Sequence, residues 1–509
     1  FMNLLSSTTI FSFFTILSRI LGYIRDILIA IFLGTSIFAD AFFVAFRLPN
    51  TFRRLFAEGT FNAAFIPSYA SARIKSKKKG KIFADEVLSL LLLILLFIVT
   101  IAEIFTPYLI YLIAPGFIED SFKFSLAIEL TRITFPFLLF VSLSSFFSGI
   151  LNSNNKFAAA AAAPIFLNLV LISFILFSYL QNLNTAKLLS YGVTLAGILQ
   201  LFFLFYVTYH FYKPSFRLKF NISKNVKFFF KKLLPSVLSS GVTQINILVG
   251  TIIASFQAGA VSYLYYADRV YQINLAIAGI AVGTVSLPVL SKAFKQKNLN
   301  KVSNIQNKSI ELSLLLSLPA SLALILASEE IVNGLFGYGS FSSNDVLMTS
   351  IALKFFGYGV VAFSLIKVLA NFFFARDNTK EPFYIASFIV FLNVSISLSF
   401  FDKLGFIIIP IATSISTWIG VVIYLYLLAR RKYLLLQLKM FYNCIKIMIS
   451  SLIMSFALIF ALDKYVSFLN YQYIYKSIYL IIIVGFVGAV YLLSCYLFGL
   501  LKIKNYKTN

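Results

Sequence analysis

The chain reads as an all-α polytopic membrane protein of 14 transmembrane helices, two six-helix bundles followed by a C-terminal helix pair. Three observations lead there. Of 509 residues, 60% are hydrophobic and only 12% charged, too little polar surface to cover a soluble fold of that size. Apolar runs of about 20 residues, enough to span a hydrocarbon core, recur along the whole length. Lysine and arginine collect in every second loop between those runs, the bias of cytoplasmic loops.

The runs fall near 6–33, 38–60, 87–113, 125–151, 157–180, 187–210, 230–257, 261–290, 309–335, 346–374, 383–401, 405–429, 440–462 and 474–501. The first is too long for the core of a signal peptide and reads as a retained span. Basic loops carry Arg73, Lys75, Lys77, Lys78, Lys79 and Lys81; Lys156; Lys213, Arg217, Lys219, Lys224 and Lys227. They continue with Lys292, Lys295, Lys297 and Lys301; Arg376 and Lys380; Arg430, Arg431 and Lys432. The intervening loops, such as "LGTSIF" and "QAGAV", are short and nearly free of cations. Both termini therefore belong to the cytoplasmic side, and the span number is even. The expected domains are an N-terminal bundle over 1–210, a basic cytoplasmic linker over 211–229, a second bundle over 230–432 and the helix pair over 433–509. Setting Gly34 over Gly259 aligns "AFFVAFRLPN" with "YADRVYQINL", an echo of a duplicated half, as in transporters with a site between two bundles. Spans thirteen and fourteen fall outside the repeat and read as lipid-facing.

A net charge of +25 in so apolar a chain does not describe a nucleic-acid-binding domain. His210 is the only histidine, so a metal site built on several histidines is excluded. Cys444 and Cys495 stand outside any ligand spacing and read as small core residues. No metal and no cofactor is expected.

Charges inside the apolar runs carry the chemistry. "SRILGYIRDILIA" places Ser18, Arg19, Arg25 and Asp26 within the first span, where each charge costs about 2.5–3.5 kcal/mol at mid-depth. Arg25 lies eight residues before Leu33, and Arg269 eight residues after Val261; at ~1.5 Å per residue both sit about 12 Å from the same surface. Asp26 and Asp268 adjoin them, a pairing suited to an anion site. In the second span Asp40, Arg47, Arg54 and Glu58 form one helical stripe about 27 Å long, with Arg53 about 100° away and Pro49 marking a kink. So deep a stripe needs a wet cavity. The bland alternative is charges that only pair across helices, the reading given to Glu129 with Arg132. Arginine suits phosphate through its planar fork, and a cavity of this sign disfavours cationic drugs.

These strings resemble the lipid II flippase family (MurJ, also called MviN) of the multidrug/oligosaccharidyl-lipid/polysaccharide exporter superfamily. The matches are "SRILGYIRDILIA", "ADAFFVAFRLPNTFRRLFAEGTFNAAFIP", "APGF" at 114–117, "YYADRV" at 265–270, "GTVSLPVLSKAF" at 283–294, "FGYGSF" at 336–341 and "IKVLANFFFARDNTKEP" at 366–382. The resemblance implies a transporter, not an enzyme, in the bacterial cytoplasmic (inner) membrane. It would move lipid II, the undecaprenyl-pyrophosphate-linked disaccharide-pentapeptide, to the periplasmic leaflet by alternating access, with cell-wall synthesis proteins as possible partners. It implies cavity contacts at Arg19, Arg25, Asp26 and Arg269 and functional cavity and gate residues at Asp40, Arg53 and Glu58; to these the polar residues in the same strings add Ser18 and Asn50 as substrate contacts and Arg54 and Asp268 as members of the gating ion pairs. Pyrophosphate bridging Arg25 and Arg269, with Asp40 and Glu58 exchanging partners, is the expected cycle, and spans thirteen and fourteen would form a lipid-tail groove. Gln272, Asn274 and Asn371 depart from the family pattern of an acid and two prolines. The rivals are a flippase for another anionic lipid-linked oligosaccharide, a superfamily drug antiporter, and a membrane glycosyltransferase or lipid phosphatase, the last disfavoured by short outer loops and the lone His210.

Overall fold

The computed structural model describes residues 2–57, 60–215, 223–275, 279 and 282–501, with side chains throughout except at 2–11, 55–57, 60, 63, 224, 232, 234–240, 242, 243 and 284. Among the described residues all regular structure is helical. By length and composition, nine helical stretches there are apolar enough to cross a membrane.

The first compact unit is Phe1–Ser262. Its helices are α1 (Met2–Leu33), α2 (Ile37–Ala57), α3 (Thr60–Lys75), α4 (Lys77–Ile104), α5 (Thr106–Ile113), α6 (Ser121–Thr134), α7 (Phe137–Ser153), α8 (Phe157–Leu180), α9 (Thr185–Thr208) and α10 (Lys224–Ala254). Several expected spans are broken where proline withholds a donor: Pro107 opens α5, and Pro136 separates α6 from α7. The basic loop expected after the second span is instead largely helical. Phe61, Phe65 and Tyr69 give α3 an aromatic face, and Phe65 stacks near Phe83, Phe146 and Phe229. Burial of those rings, at roughly 1.5–3 kcal/mol each, outweighs the charges at the end of α3. Ser76 then caps α4 by accepting from the Lys79 amide at 3.1 Å. Glu129 is bonded to Lys187 of α9 at 2.5 Å, correcting the expected pairing with Arg132. The two helices reach each other across the bundle, whereas Arg132 shares the backbone of α6. The chain leaving α9 is fastened to α4, because buried Asp85 accepts from the Tyr212 hydroxyl at 2.6 Å and from Ser215 Oγ at 2.5 Å.

The second unit is Tyr263–Asn509. It holds α11 (Ala260–Asn274), whose first turn lies in the first unit, then α12 (Val282–Lys295), α13 (Leu299–Leu326), α14 (Ser328–Phe336), α15 (Ser343–Phe374), α16 (Lys380–Leu404), α17 (Ile408–Arg430), α18 (Leu438–Lys464) and α19 (Lys476–Leu497). The α18–α19 pair packs on α13 and α14 through Met454, Leu458, Leu480, Ile483 and Val487.

Both ends of that pair are tied to the same unit by polar contacts. At one, Gln306 donates to the Tyr433 carbonyl at 2.9 Å, Asn307 to the Leu435 carbonyl at 2.8 Å, and the Gln437 amide to Asn307 at 3.1 Å. At the other, Lys476 is 1% exposed and donates to the Gly337 and Tyr471 carbonyls, both at 2.5 Å. Its ammonium lies 4.2 Å from the Tyr338 ring centroid and 4.5 Å from that of Tyr471. Two rings and two carbonyls thus solvate the buried ammonium. Charged hydrogen bonds and desolvated cation–π contacts are each worth about 2 kcal/mol. Lys476→Met is therefore expected to lower stability by about 2–4 kcal/mol, read as an earlier denaturation midpoint in detergent.

Candidate functional site

Two polar centres stand out in the first unit. The first is built where α1 crosses α8. The two helices pack along each other, and a Cβ at Gly22 of α1 would lie 3.6 Å from the side-chain amide of Asn168 on α8. Arg25 is 4% exposed and Asp26 2%. The guanidinium places Nε at 3.0 Å and Nη2 at 2.7 Å from Asp26 Oδ1, and Nη1 donates to Asn168 Oδ1 at 2.9 Å. Asn168 in turn donates through Nδ2 to the Ser18 carbonyl at 2.8 Å and reaches Ser18 Oγ at 3.4 Å. The structure thus brings together Ser18, Arg25 and Asp26 and adds Asn168, which sequence reading missed. Arg19, two turns back, is exposed. Within the cluster Arg25 and Asp26 cancel, so a buried cation is held without net charge.

The second centre surrounds Asp40, which is 0% exposed. Its Oδ2 accepts from Lys123 Nζ at 2.7 Å and from the Gly259 amide at 2.9 Å. Its Oδ1 accepts from the Ser262 amide at 3.0 Å and Ser262 Oγ at 2.5 Å. Four donors from α6, from the α10–α11 connector and from the first turn of α11 converge on one carboxylate of α2. Lys123 is buried beside it, its ammonium 4.1 Å from the Phe117 ring centroid. That ring belongs to "APGF", whose glycine lies under the same connector. The Gly116 amide donates to Ser255 Oγ at 3.1 Å, and a Cβ at Gly116 would lie 2.4 Å from the Ser255 carbonyl oxygen. Gly34 and Gly259, the pair aligned by the repeat, have φ of 57° and 74°, so both turns use the left-handed region that glycine enters freely.

Elsewhere on α2, Arg53 Nε donates to Asn50 Oδ1 at 2.9 Å, joining two of the expected residues. Arg47 and Arg54 are half-buried. Glu58 lies outside the described residues. Asp40 therefore takes Lys123 as its ion-pair partner rather than a cation of its own stripe. Lys123, in the first turn of a helix after a loop, had no signal separating it from a surface lysine.

In the second unit, α11 carries Asp268 and Arg269, both half-buried. Gln272 donates its amide to Asp268, and the Arg269 guanidinium lies 5.5 Å from the Tyr265 ring centroid. Asn371 donates to the Gly283 carbonyl at 2.6 Å and so joins α15 to α12.

Residues 29–484 match the model of the family described as "Lipid II flippase MurJ". A protein of Rhizobium tropici named probable lipid II flippase MurJ is 40% identical over 88% of this chain and 85% of its own length. One of that name from Rickettsia prowazekii (strain Madrid E) is 38% identical over 99% of both chains. Among solved structures, "Lipid II flippase MurJ, inward closed conformation" superposes with a TM-score of 0.81 at 29% identity, covering 96% of this chain and 98% of that one. An inward-facing multidrug resistance MATE family transporter of the MOP superfamily shares the fold, with a TM-score of 0.67 at 15% identity and 82% of this chain covered.

Proposed function

The chain belongs to the lipid II flippase MurJ family, and on that premise we propose how it carries its substrate. It is a lipid II flippase, a multi-pass transporter of the inner membrane whose cargo serves peptidoglycan synthesis. No step of that cycle calls for catalysis. In the proposed layout 14 spans form the bundles 1–210 and 230–432, the linker 211–229 and the pair 433–509, with both termini cytoplasmic. The seventh span, α10, packs on α2 and α3 in the state described here. The basic cytoplasmic loops are the proposed landing surface for cell-wall synthesis proteins, and the α18–α19 pair the proposed groove for the polyprenyl tail.

The observation that carries the mechanism is the Asp40 centre. Four donors on one buried carboxylate hold the α10–α11 connector against α2 and α6, and we read this as the periplasmic end latched shut. Breaking such a centre in a dry interior leaves charges unpaired at a cost of about 3–5 kcal/mol. Opening that admits water resolvates Asp40 and Lys123 together, so most of that cost is recovered. The latch therefore has two tolerable states, dry and paired or wet and separate, as alternating access requires.

Arg19, Arg25 and Arg269 are the proposed anion ligands for the pyrophosphate, with Ser18, Asp26 and Asn50 assisting and Arg53, Arg54, Glu58 and Asp268 completing the ion-pair set. Asp26 holds Arg25 while no headgroup is bound and yields it to the incoming phosphate. Functional replacement tests this reading. In a bacterium depleted of its own lipid II flippase, this chain is expected to restore lipid II to the outer leaflet. Failure despite correct insertion would point to a different lipid-linked sugar.

A further inference from the structure

The contact between Arg25 and Asn168 reaches beyond the family reading. The Asn168 amide has one workable orientation. Its Nδ2 must face the Ser18 carbonyl at 2.8 Å, which leaves Oδ1 to face Arg25 Nη1 at 2.9 Å; turned over, an NH2 would oppose the guanidinium and an oxygen would oppose a carbonyl. Asn168 is 6% exposed, and a buried amide with donor and acceptor both engaged is a rigid fixture. Asp26 behaves differently. It meets the Nε–Nη2 edge of the guanidinium, one of the two edges on which a phosphate can form its fork, and it sits on the same helix as Arg25, one residue away.

We propose that Asn168 is the positioning residue for Arg25. During headgroup capture the phosphate replaces Asp26 on the Nε–Nη2 edge, while Asn168 keeps Nη1 and thereby the plane of the guanidinium. Arg25 then exchanges one anion for another without a search through the rotamers of its long stem, whose freedom is otherwise costly to remove. The neutral amide is what the exchange needs. A carboxylate at 168 would hold Arg25 as firmly but turn the cluster from neutral to negative and oppose the incoming phosphate. The proposal rests on Arg25 being a headgroup ligand.

The test is equilibrium binding of lipid II to the purified full chain in nanodiscs, with undecaprenol, which has the tail without the pyrophosphate, as the second probe. Asn168→Leu is expected to weaken lipid II binding about tenfold, in line with loss of one charge-assisted hydrogen bond, and to leave undecaprenol binding unchanged. On an Arg25→Ala background the same substitution is expected to change lipid II binding by less than about twofold, because its target is gone. Asn168→Asp sets a carboxylate oxygen against the Ser18 carbonyl, so it is expected to lower the unfolding midpoint, and the folded protein is expected to lose lipid II binding at least about tenfold. Equal effects of Asn168→Leu with and without Arg25, or equal losses for the two lipids, would overturn the positioning role while Arg25 stands. Parent-like binding by folded Asn168→Asp would overturn it as well. If Arg25→Ala binds lipid II like the parent, the headgroup reading fails and the proposal with it.

Discussion

Arg25→Ala is expected to abolish rescue of a flippase-depleted bacterium, with transport reduced at least about a hundredfold at matched membrane levels. Two effects add. The headgroup loses a forked, charge-assisted contact, and Asp26, 2% exposed, loses its ion pair with Arg25. Removing one partner of a buried ion pair costs about 3–5 kcal/mol, so protein level falls as well as activity. The companion variants separate the two. Arg25→Lys keeps the charge that neutralises Asp26 but not the planar fork, so the protein accumulates normally while transport drops about tenfold. Arg25→Ala combined with Asp26→Asn removes both charges, restoring accumulation but not transport. Assaying lipid II in the outer leaflet against immunoblotted protein distinguishes these outcomes. Transport restored by the double variant would show that Arg25 serves only to satisfy Asp26.

Asp40→Ala is the second large effect. It strands Lys123, whose side chain is 7% exposed, and deprives the Gly259 amide and both Ser262 donors of their acceptor. The latched state is expected to lose about 3–5 kcal/mol, enough to invert a two-state balance. Asp40→Asn is expected to do almost as badly. Its Oδ1 can still accept from Ser262, but its NH2 then faces the Lys123 ammonium and the Gly259 N–H, donor against donor. The readout is a cysteine at Val261, 1% exposed in the latched state, in a chain whose Cys444 and Cys495 are replaced by alanine. A membrane-impermeant maleimide is expected to label it slowly in the parent and at least about tenfold faster with Asp40→Ala or Asp40→Asn. Pairing Asp40→Ala with Lys123→Met removes the stranded ammonium and is expected to recover part of the protection. Unchanged labelling in all variants would show that the Asp40 centre does not set access.

How far the sequence announced this structure depends on which signal each element had. Charges at Arg25, Asp26 and Asp40 are conspicuous because they interrupt apolar runs, and a charge in such a run costs too much to be incidental. Their partners are not conspicuous. Asn168 is an uncharged residue in an alanine-rich helix, and nothing along the chain ties it to a residue 143 positions away. Lys123 follows a loop and resembles any interfacial lysine that snorkels. Hydropathy locates most helices but not their breaks. The division at Pro136 follows from local chemistry, whereas α3 became helical because an aromatic face found Phe83, Phe146 and Phe229 to pack against, a tertiary fact. Lys476 stands near the beginning of an apolar run, where nothing in the sequence marks it; its two rings and two carbonyls come from separate loops that meet only after folding.

The helix pair at the end of the chain has a consequence for assembly. Side-chain amides secure one of its ends to the chain before α18, Lys476 secures the other, and apolar packing on α13 and α14 fills the distance between. None of these attachments depends on the peptide bonds that happen to join α17 to α18. The pair is a docked subunit that is covalently continuous only because one gene encodes it. Expressed as a separate polypeptide beginning in the 431–437 loop, it should find its seat on the remainder of the chain within the bilayer and co-purify with it, and Lys476→Met should weaken that capture.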